Sequence, residues 1–129
     1  MRIFVISLII LSFNWAMASL RPKRKLLYDC VYLKDNSQLE RVYIYQSRFG
    51  SARPFHEFKI FYLKDGYSKN YFKKVRLNSQ YDGKILHFSN GNTRIKIDKV
   101  RVKEGKYWTF GRIPKFKVHS FDWACKDAI

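Results

Sequence analysis

Two cysteines, Cys30 and Cys125, stand near the two ends of this 129-residue chain, and there are no others. In an oxidising compartment a count of two permits one pairing only. A Cys30–Cys125 bridge would hold the beginning and the end of the domain against each other, so any acceptable fold must bring its terminal segments side by side. Closing so long a loop stabilises a fold by about 4–5 kcal/mol in the chain-entropy picture.

The N-terminal residues point to such a compartment. Met1-Arg2 is a short positive start, Ile3 to Phe13 is an almost unbroken apolar run, and Ala16-Met17-Ala18 has the small-x-small form that a signal peptidase cuts after. Residues 1–18 are therefore expected to be a secretory signal peptide, too short and wrongly flanked for a membrane span. Residues 19–129 remain as one small domain, with Arg21-Pro22-Lys23-Arg24-Lys25 as a mobile basic leader. The protein is expected to be secreted.

The chain carries 26 Lys and Arg against 10 Asp and Glu, a formal net charge of +16, and removal of the expected signal peptide takes away Arg2 alone among the charged residues. Such a field favours anionic partners: nucleic acid, acidic polysaccharide or an anionic surface. No third ligand accompanies either cysteine, and His56, His87 and His119 are scattered, so neither a metal nor another cofactor is expected. No Ser/His/Asp arrangement and no glycine-rich phosphate loop is legible.

Leu26 to Leu33 reads as a strand, followed by a turn at Asp35-Asn36. Ser37-Gln38-Leu39-Glu40 has the form of a capping box, and Leu39, Val42, Tyr43, Gln46 and Phe49 fall on one helical stripe that Gly50 would stop. A helix is expected there, although Val42-Tyr43-Ile44-Tyr45 has strand propensity. Beyond Gly50 the expected strands are Phe55–Leu63, Tyr71–Leu77, Lys84–Phe88, Thr93–Ile97, Lys99–Val102, Tyr107–Ile113 and Phe116–Phe121. Turns at Asp65-Gly66, Asp82-Gly83, Asn90-Gly91-Asn92 and Glu104-Gly105 separate most of them. The alternation slips at Asp98-Lys99, which predicts a bend or bulge. The expected fold class is α+β, one helix packed on a twisted antiparallel β-sheet.

Cations interleave with aromatic and aliphatic residues in Tyr71-Phe72-Lys73-Lys74-Val75-Arg76 and along Arg94 to Lys103. Rings that stack on bases beside phosphate-binding cations suit single-stranded RNA. Two histidines, or a histidine with a carboxylate such as Glu57, could in principle run acid–base cleavage of RNA.

A signal peptide, then the aromatic-x-Cys motif Tyr28-Asp29-Cys30, one helix, a β-rich remainder and a single late cysteine together resemble the RNase-like effector proteins associated with haustoria of powdery mildew fungi. Tyr71 to Leu77 is similar to the aromatic-aromatic-Glu-aromatic-Pro-aliphatic strand of the fungal guanine-specific ribonucleases and ribotoxins, and Asp98-Lys99-Val100 to their Asp-Arg-Val strand. Gly111-Arg112-Ile113-Pro114-Lys115 stands at their Gly-x-x-Thr-His end, and Phe121 to Cys125 resembles their closing Phe-x-x-Cys. The likeness spans most of the chain after the leader and implies a microbial ribonuclease-like fold.

It also implies that the catalytic set is lost, because Phe55, Lys73, Lys99 and Lys115 occupy the positions of the histidine, glutamate, arginine and final histidine. A phenyl ring shuttles no proton, and an ordinary lysine is already protonated near neutral pH. The resemblance thus implies a monomeric, catalytically inactive effector translocated into host plant cells, binding host RNA or ribosomes and interfering with immunity. Recognition by a plant immune receptor (an avirulence role) is a further implication, and no membrane or metal partner is expected. The expected RNA/phosphate-binding residues are Lys73, Lys74, Arg76, Lys99, Arg101 and Lys115. Two rivals stand beside this expectation. One is an active secreted ribonuclease using His56 and His119. The other is a bacterial exported basic binding or inhibitor protein, such as a small β-barrel acting on an envelope polymer.

Overall fold

The computed structural model describes residues 21–34, 38–78 and 84–128, with the side chains of all of these but Ser120 and Phe121. The expected signal peptide and the expected turns at Asp35-Asn36 and Asp82-Gly83 lie outside the described residues, as does Ser37. Eight antiparallel strands follow in chain order: β1 (Lys23–Tyr32), β2 (Leu39–Arg48), β3 (Phe55–Lys64), β4 (Tyr67–Asn78), β5 (Ile85–Asn90), β6 (Thr93–Lys103), β7 (Lys106–Ile113) and β8 (Val118–Asp127). Each pairs with the next, and β8 returns to β1, closing a barrel.

This overturns the expected α+β class and the ribonuclease-like arrangement of a helix on an open sheet. The segment read as a helix is β2. Its buried residues Val42 and Ile44 alternate with Tyr43 and Tyr45, the two-residue period of a strand. The β-branched and aromatic run pairs on both sides, with β1 and β3, and those two ladders outweigh a helix stripe and a local cap. A second correction concerns the basic leader, since Lys23, Arg24 and Lys25 pair with Arg48, Ser47 and Gln46 as the start of β1. A third concerns the last strand: Pro114–Phe116 forms a short 3-10 turn, and Lys117 turns through a left-handed conformation before β8 begins.

The expected slip is present. Thr93–Lys103 is one strand whose register on β7 shifts between Asp98 and Val102. Asp98 accepts the backbone N–H groups of Val100 (3.0 Å) and Arg101 (3.3 Å) across that irregularity.

Alternate residues of every strand fill the interior. Val42, Ile44, Phe58, Ile60, Val75, Phe88, Ile95, Ile97, Ile113 and Trp123 are buried there. Gly111 is required by this packing, because a Cβ at that position would overlap the Trp123 indole. The disulfide joins Cys30 to Cys125, which lie directly opposite each other in the β1–β8 ladder. That ladder runs only from Tyr28↔Asp127 to Tyr32↔Trp123, so the bridge ties the place where the barrel closes. The β4–β5 ladder is shorter still, Arg76 to Asn78 against Ser89 to His87. The first half of β4 therefore pairs with β3 alone. The hairpin they form carries Tyr62 and Tyr71 to the 3-10 turn, where Tyr62 packs on Phe116 at 5.2 Å.

Candidate nucleic-acid interface

Because Val42, Ile44, Phe58 and Ile60 point inward, their neighbours Tyr43, Tyr45, Lys59 and Phe61 form the outer wall. Cross-strand pairing then assembles rings from three strands. Tyr43 meets Phe61 at 4.9 Å and Tyr45 at 6.2 Å, and Tyr45 reaches Phe72 of β4 at 6.0 Å. Cations lie on the same rings. The Arg24 guanidinium sits 3.9 Å from the Phe72 centroid, Lys59 lies 5.2 Å from Phe61 and 5.5 Å from Phe72, and Lys74 lies 4.9 Å from Phe55. Phe55 in turn stacks on exposed Phe49.

Carboxylates anchor this wall. The buried Glu57 accepts a hydrogen bond from Ser47 Oγ (2.6 Å) and one from Arg24 Nε (3.1 Å), which fixes the guanidinium over Phe72. Arg41 Nε pairs with Asp29 at 3.3 Å. Burial raises the Tyr45 phenol, aided by Tyr43 and opposed by Arg24, so it remains protonated at neutral pH. Two open grooves flank the rings. One, of about 450 Å³, is lined by Lys74, Arg76, Ser89 and Asn90 at the β4–β5 junction. The other, of about 290 Å³, is lined by Lys23, Arg24, Lys25 and Arg48. Such a wall presents π-faces for bases and cations for phosphates.

The six cations expected from the sequence divide. Lys74 and Arg76 come together on the first groove, on the outer face. Lys73 faces the opposite way on the same strand, and its ammonium donates to Thr93 Oγ1 at 3.2 Å. Lys99, six residues after Thr93 on β6, is about 20 Å further along that strand. Its ammonium donates to Tyr28 Oη (2.9 Å), Tyr107 Oη (3.0 Å) and Asp127 (3.3 Å), while the Tyr107 hydroxyl donates to Asp127 at 2.6 Å. Burial works against the Lys99 charge, but the two phenols and the carboxylate outweigh it and hold the pKa above the ordinary lysine range. Arg101 is exposed over Trp108 at 4.7 Å, and Lys115 sits on the 3-10 turn, 4.6 Å from Tyr71.

The positions matched to the ribonuclease site therefore do not converge. Phe55 is on the outer wall, Lys73 and Lys99 are engaged in separate places, and Lys115 is on the turn. His56 packs inward, 5.5 Å from Phe88, and burial lowers its pKa, whereas His119 is exposed on the outer face of β8. The two histidines thus stand on opposite sides of the barrel wall. Among the described residues no group of three or more His, Cys, Asp or Glu side chains could hold a metal ion.

Arg24, Arg41, Lys59 and the rings Tyr43, Tyr45 and Phe61 were not singled out by the sequence reasoning. The signal was present as alternation in Arg41-x-Tyr43-x-Tyr45 and Phe55-x-Glu57-x-Lys59-x-Phe61. A helical reading of the first segment concealed that the two would lie side by side. Comparison with protein-family models, with curated proteins and with solved structures finds no match to this chain.

Proposed function

We propose that this is an exported, non-enzymatic protein that binds single-stranded RNA on the outer wall of β1–β4. The observation that carries the reading is the interleaving of Arg24, Lys59 and Lys74 with Tyr43, Tyr45, Phe61 and Phe72 on one surface. Base stacking contributes about 1–3 kcal/mol per base and tolerates any sequence, and phosphate contacts position the strand without reading it. The separation of His56 from His119, and the engagement of Lys73 and Lys99, support binding without cleavage. An effector role inside plant cells draws on the ribonuclease-like motifs alone now that the fold is a barrel; RNA binding does not depend on it.

Fluorescence anisotropy with a labelled single-stranded RNA tests the reading. Affinity is expected to fall steeply with salt and to drop in the Lys59→Glu/Lys74→Glu protein. A flat salt dependence would overturn it. The same RNA should remain intact at neutral pH. Turnover that vanishes in His56→Ala or His119→Ala would instead establish the active ribonuclease.

One observation, the closed barrel, favours a second reading, an exported inhibitor-type protein directed at an anionic envelope polymer. Displacement of bound RNA by an acidic polysaccharide at equal charge concentration, with tighter binding of the polysaccharide, would promote it.

A further inference from the structure

The wall of β5–β7 is built differently. Inward Phe88, Ile95, Ile97 and Ile113 leave His87, Arg94, Lys96 and Arg112 on the outer face. Arg94 lies directly opposite Arg112 on the neighbouring strand, and Lys96 directly opposite His87. Directly opposite residues hold their Cβ atoms about 4.5–5.5 Å apart, where like charges repel. Burial first, then Lys96 and Arg94, lower the His87 pKa, which places both cations within electrostatic reach of the ring.

Among the described residues no ion pair joins a carboxylate to Arg94, Lys96 or Arg112. Asp98, on the same face, is turned to the backbone N–H groups of Val100 and Arg101. Moreover, Arg94 Nε, Arg112 Nε and His87 Nε2 are all buried with no hydrogen-bond partner among the described residues. A buried N–H without an acceptor costs about 1–3 kcal/mol, and more when it belongs to a charged group. Two arginines in register on neighbouring strands, each with an unused Nε donor, and a histidine nitrogen on the next strand match an acceptor with several oxygens and a negative charge.

We propose that the outer wall of β5–β7 is a binding site for a compact tetrahedral oxyanion, the phosphate or sulfate ester group of a larger ligand, held by Arg94 and Arg112 with Lys96 and His87 beside them. Ser89, opposite Arg94 on β5, adds a hydroxyl at the edge of the site. The site meets the Lys74/Arg76 groove at Ser89, which lines both, but it lies away from the rings, and its ligand is one anionic group where the other wall takes a chain of them.

The experiment follows the arginine Nε–H resonances of the whole secreted protein during titration with phenyl phosphate and, separately, phenyl sulfate, with chloride matching the ionic strength. Saturable shifts are expected at Arg94 and Arg112, at least tenfold weaker binding in Arg94→Gln/Arg112→Gln, and intermediate binding in Arg94→Lys/Arg112→Lys, which keeps charge but loses the Nε donor. The two titrations distinguish the ester: saturation by one alone assigns it, and saturation by both assigns the shared oxyanion. The glutamine variant relieves repulsion, so its Tm should match or exceed that of the parent; the lysine variant gives a second reading should the first fail to fold. Equal affinity in parent and glutamine variant, or the same shifts with chloride alone, would overturn the site. RNA anisotropy on the glutamine variant keeps the two readings apart. RNA binding retained while ester binding is lost supports two separate walls. Loss of both would overturn the independent site.

Discussion

The β1–β4 wall and the β5–β7 wall belong to one barrel and carry the same kinds of cation, yet they treat the charge in opposite ways. On β1–β4 the two arginines beside the rings are engaged: Arg24 is held by Glu57 and Phe72, Arg41 by Asp29 and Tyr43. On β5–β7, Arg94 and Arg112 face each other with their Nε donors unused. The first wall is complete without a ligand and offers a broad, tolerant surface. The second stores repulsion that a bound anion would relieve. The lesson is that positive charge by itself does not define a site; what surrounds each cation does.

The largest effect should come from unlinking the two ends that hold both walls in one barrel. Cys30→Ala is expected to cost about 4–5 kcal/mol, read as a large drop in Tm, because the short β1–β8 ladder then closes the barrel unaided. Mass spectrometry of the protein isolated from its native source should find no free thiol.

Next comes the anchor of the first wall. Glu57→Gln should cost about 1.5–3 kcal/mol in denaturant unfolding, since it weakens two hydrogen bonds to a buried charge. If the charge balance of the two walls truly differs, Arg94→Gln should instead change stability by less than about 0.5 kcal/mol, or raise it. Equal losses at both sites would break the comparison.

Binding should divide in the same way. Lys59→Glu/Lys74→Glu is expected to weaken RNA binding about tenfold or more, roughly 1.4 kcal/mol, and to flatten the salt slope. The smallest effect is on pH. The folded-state pKa of His56 is depressed by burial, so the unfolded chain binds more protons as pH falls through the ordinary histidine value of 6.5. Stability present above that pH should decline on acidification, with a Tm loss smaller than that of Cys30→Ala. The decline should be reduced in His56→Gln if that ring is its source.

Much of the β-structure was legible from local pattern. The strands from Phe55 onward follow the two-residue alternation, the turns at Asp65-Gly66 and Glu104-Gly105 have a positive φ at both residues, which their glycines favour, and the slip at Asp98 was readable as a change of phase. The segment from Leu39 to Phe49 was misread because a capping box and a helical stripe are short-range cues. The ladders to β1 and β3 that make it a strand are formed by residues far away in sequence. Of the site, Lys74 and Arg76 were legible as outward cations on an alternating strand. Lys73 and Lys99 were not legible as engaged groups, because their partners Thr93, Tyr28 and Asp127 come from other strands.

By itself, the sequence determined the charge, the pairing of its two cysteines, the strand-forming runs and most of the turns between them, since each of these depends on composition or on residues a few places apart. Only the tertiary structure decided that the sheet closes on itself, which face of each strand is inside, and which cations become neighbours. The physical reason is register. A strand's alternation defines two faces, but a one-residue shift exchanges them, and the choice is made by hydrogen-bond ladders and core packing between distant segments. Arg94 and Arg112 stand on separate strands joined by a hairpin, and they face one another only because that ladder is set as it is.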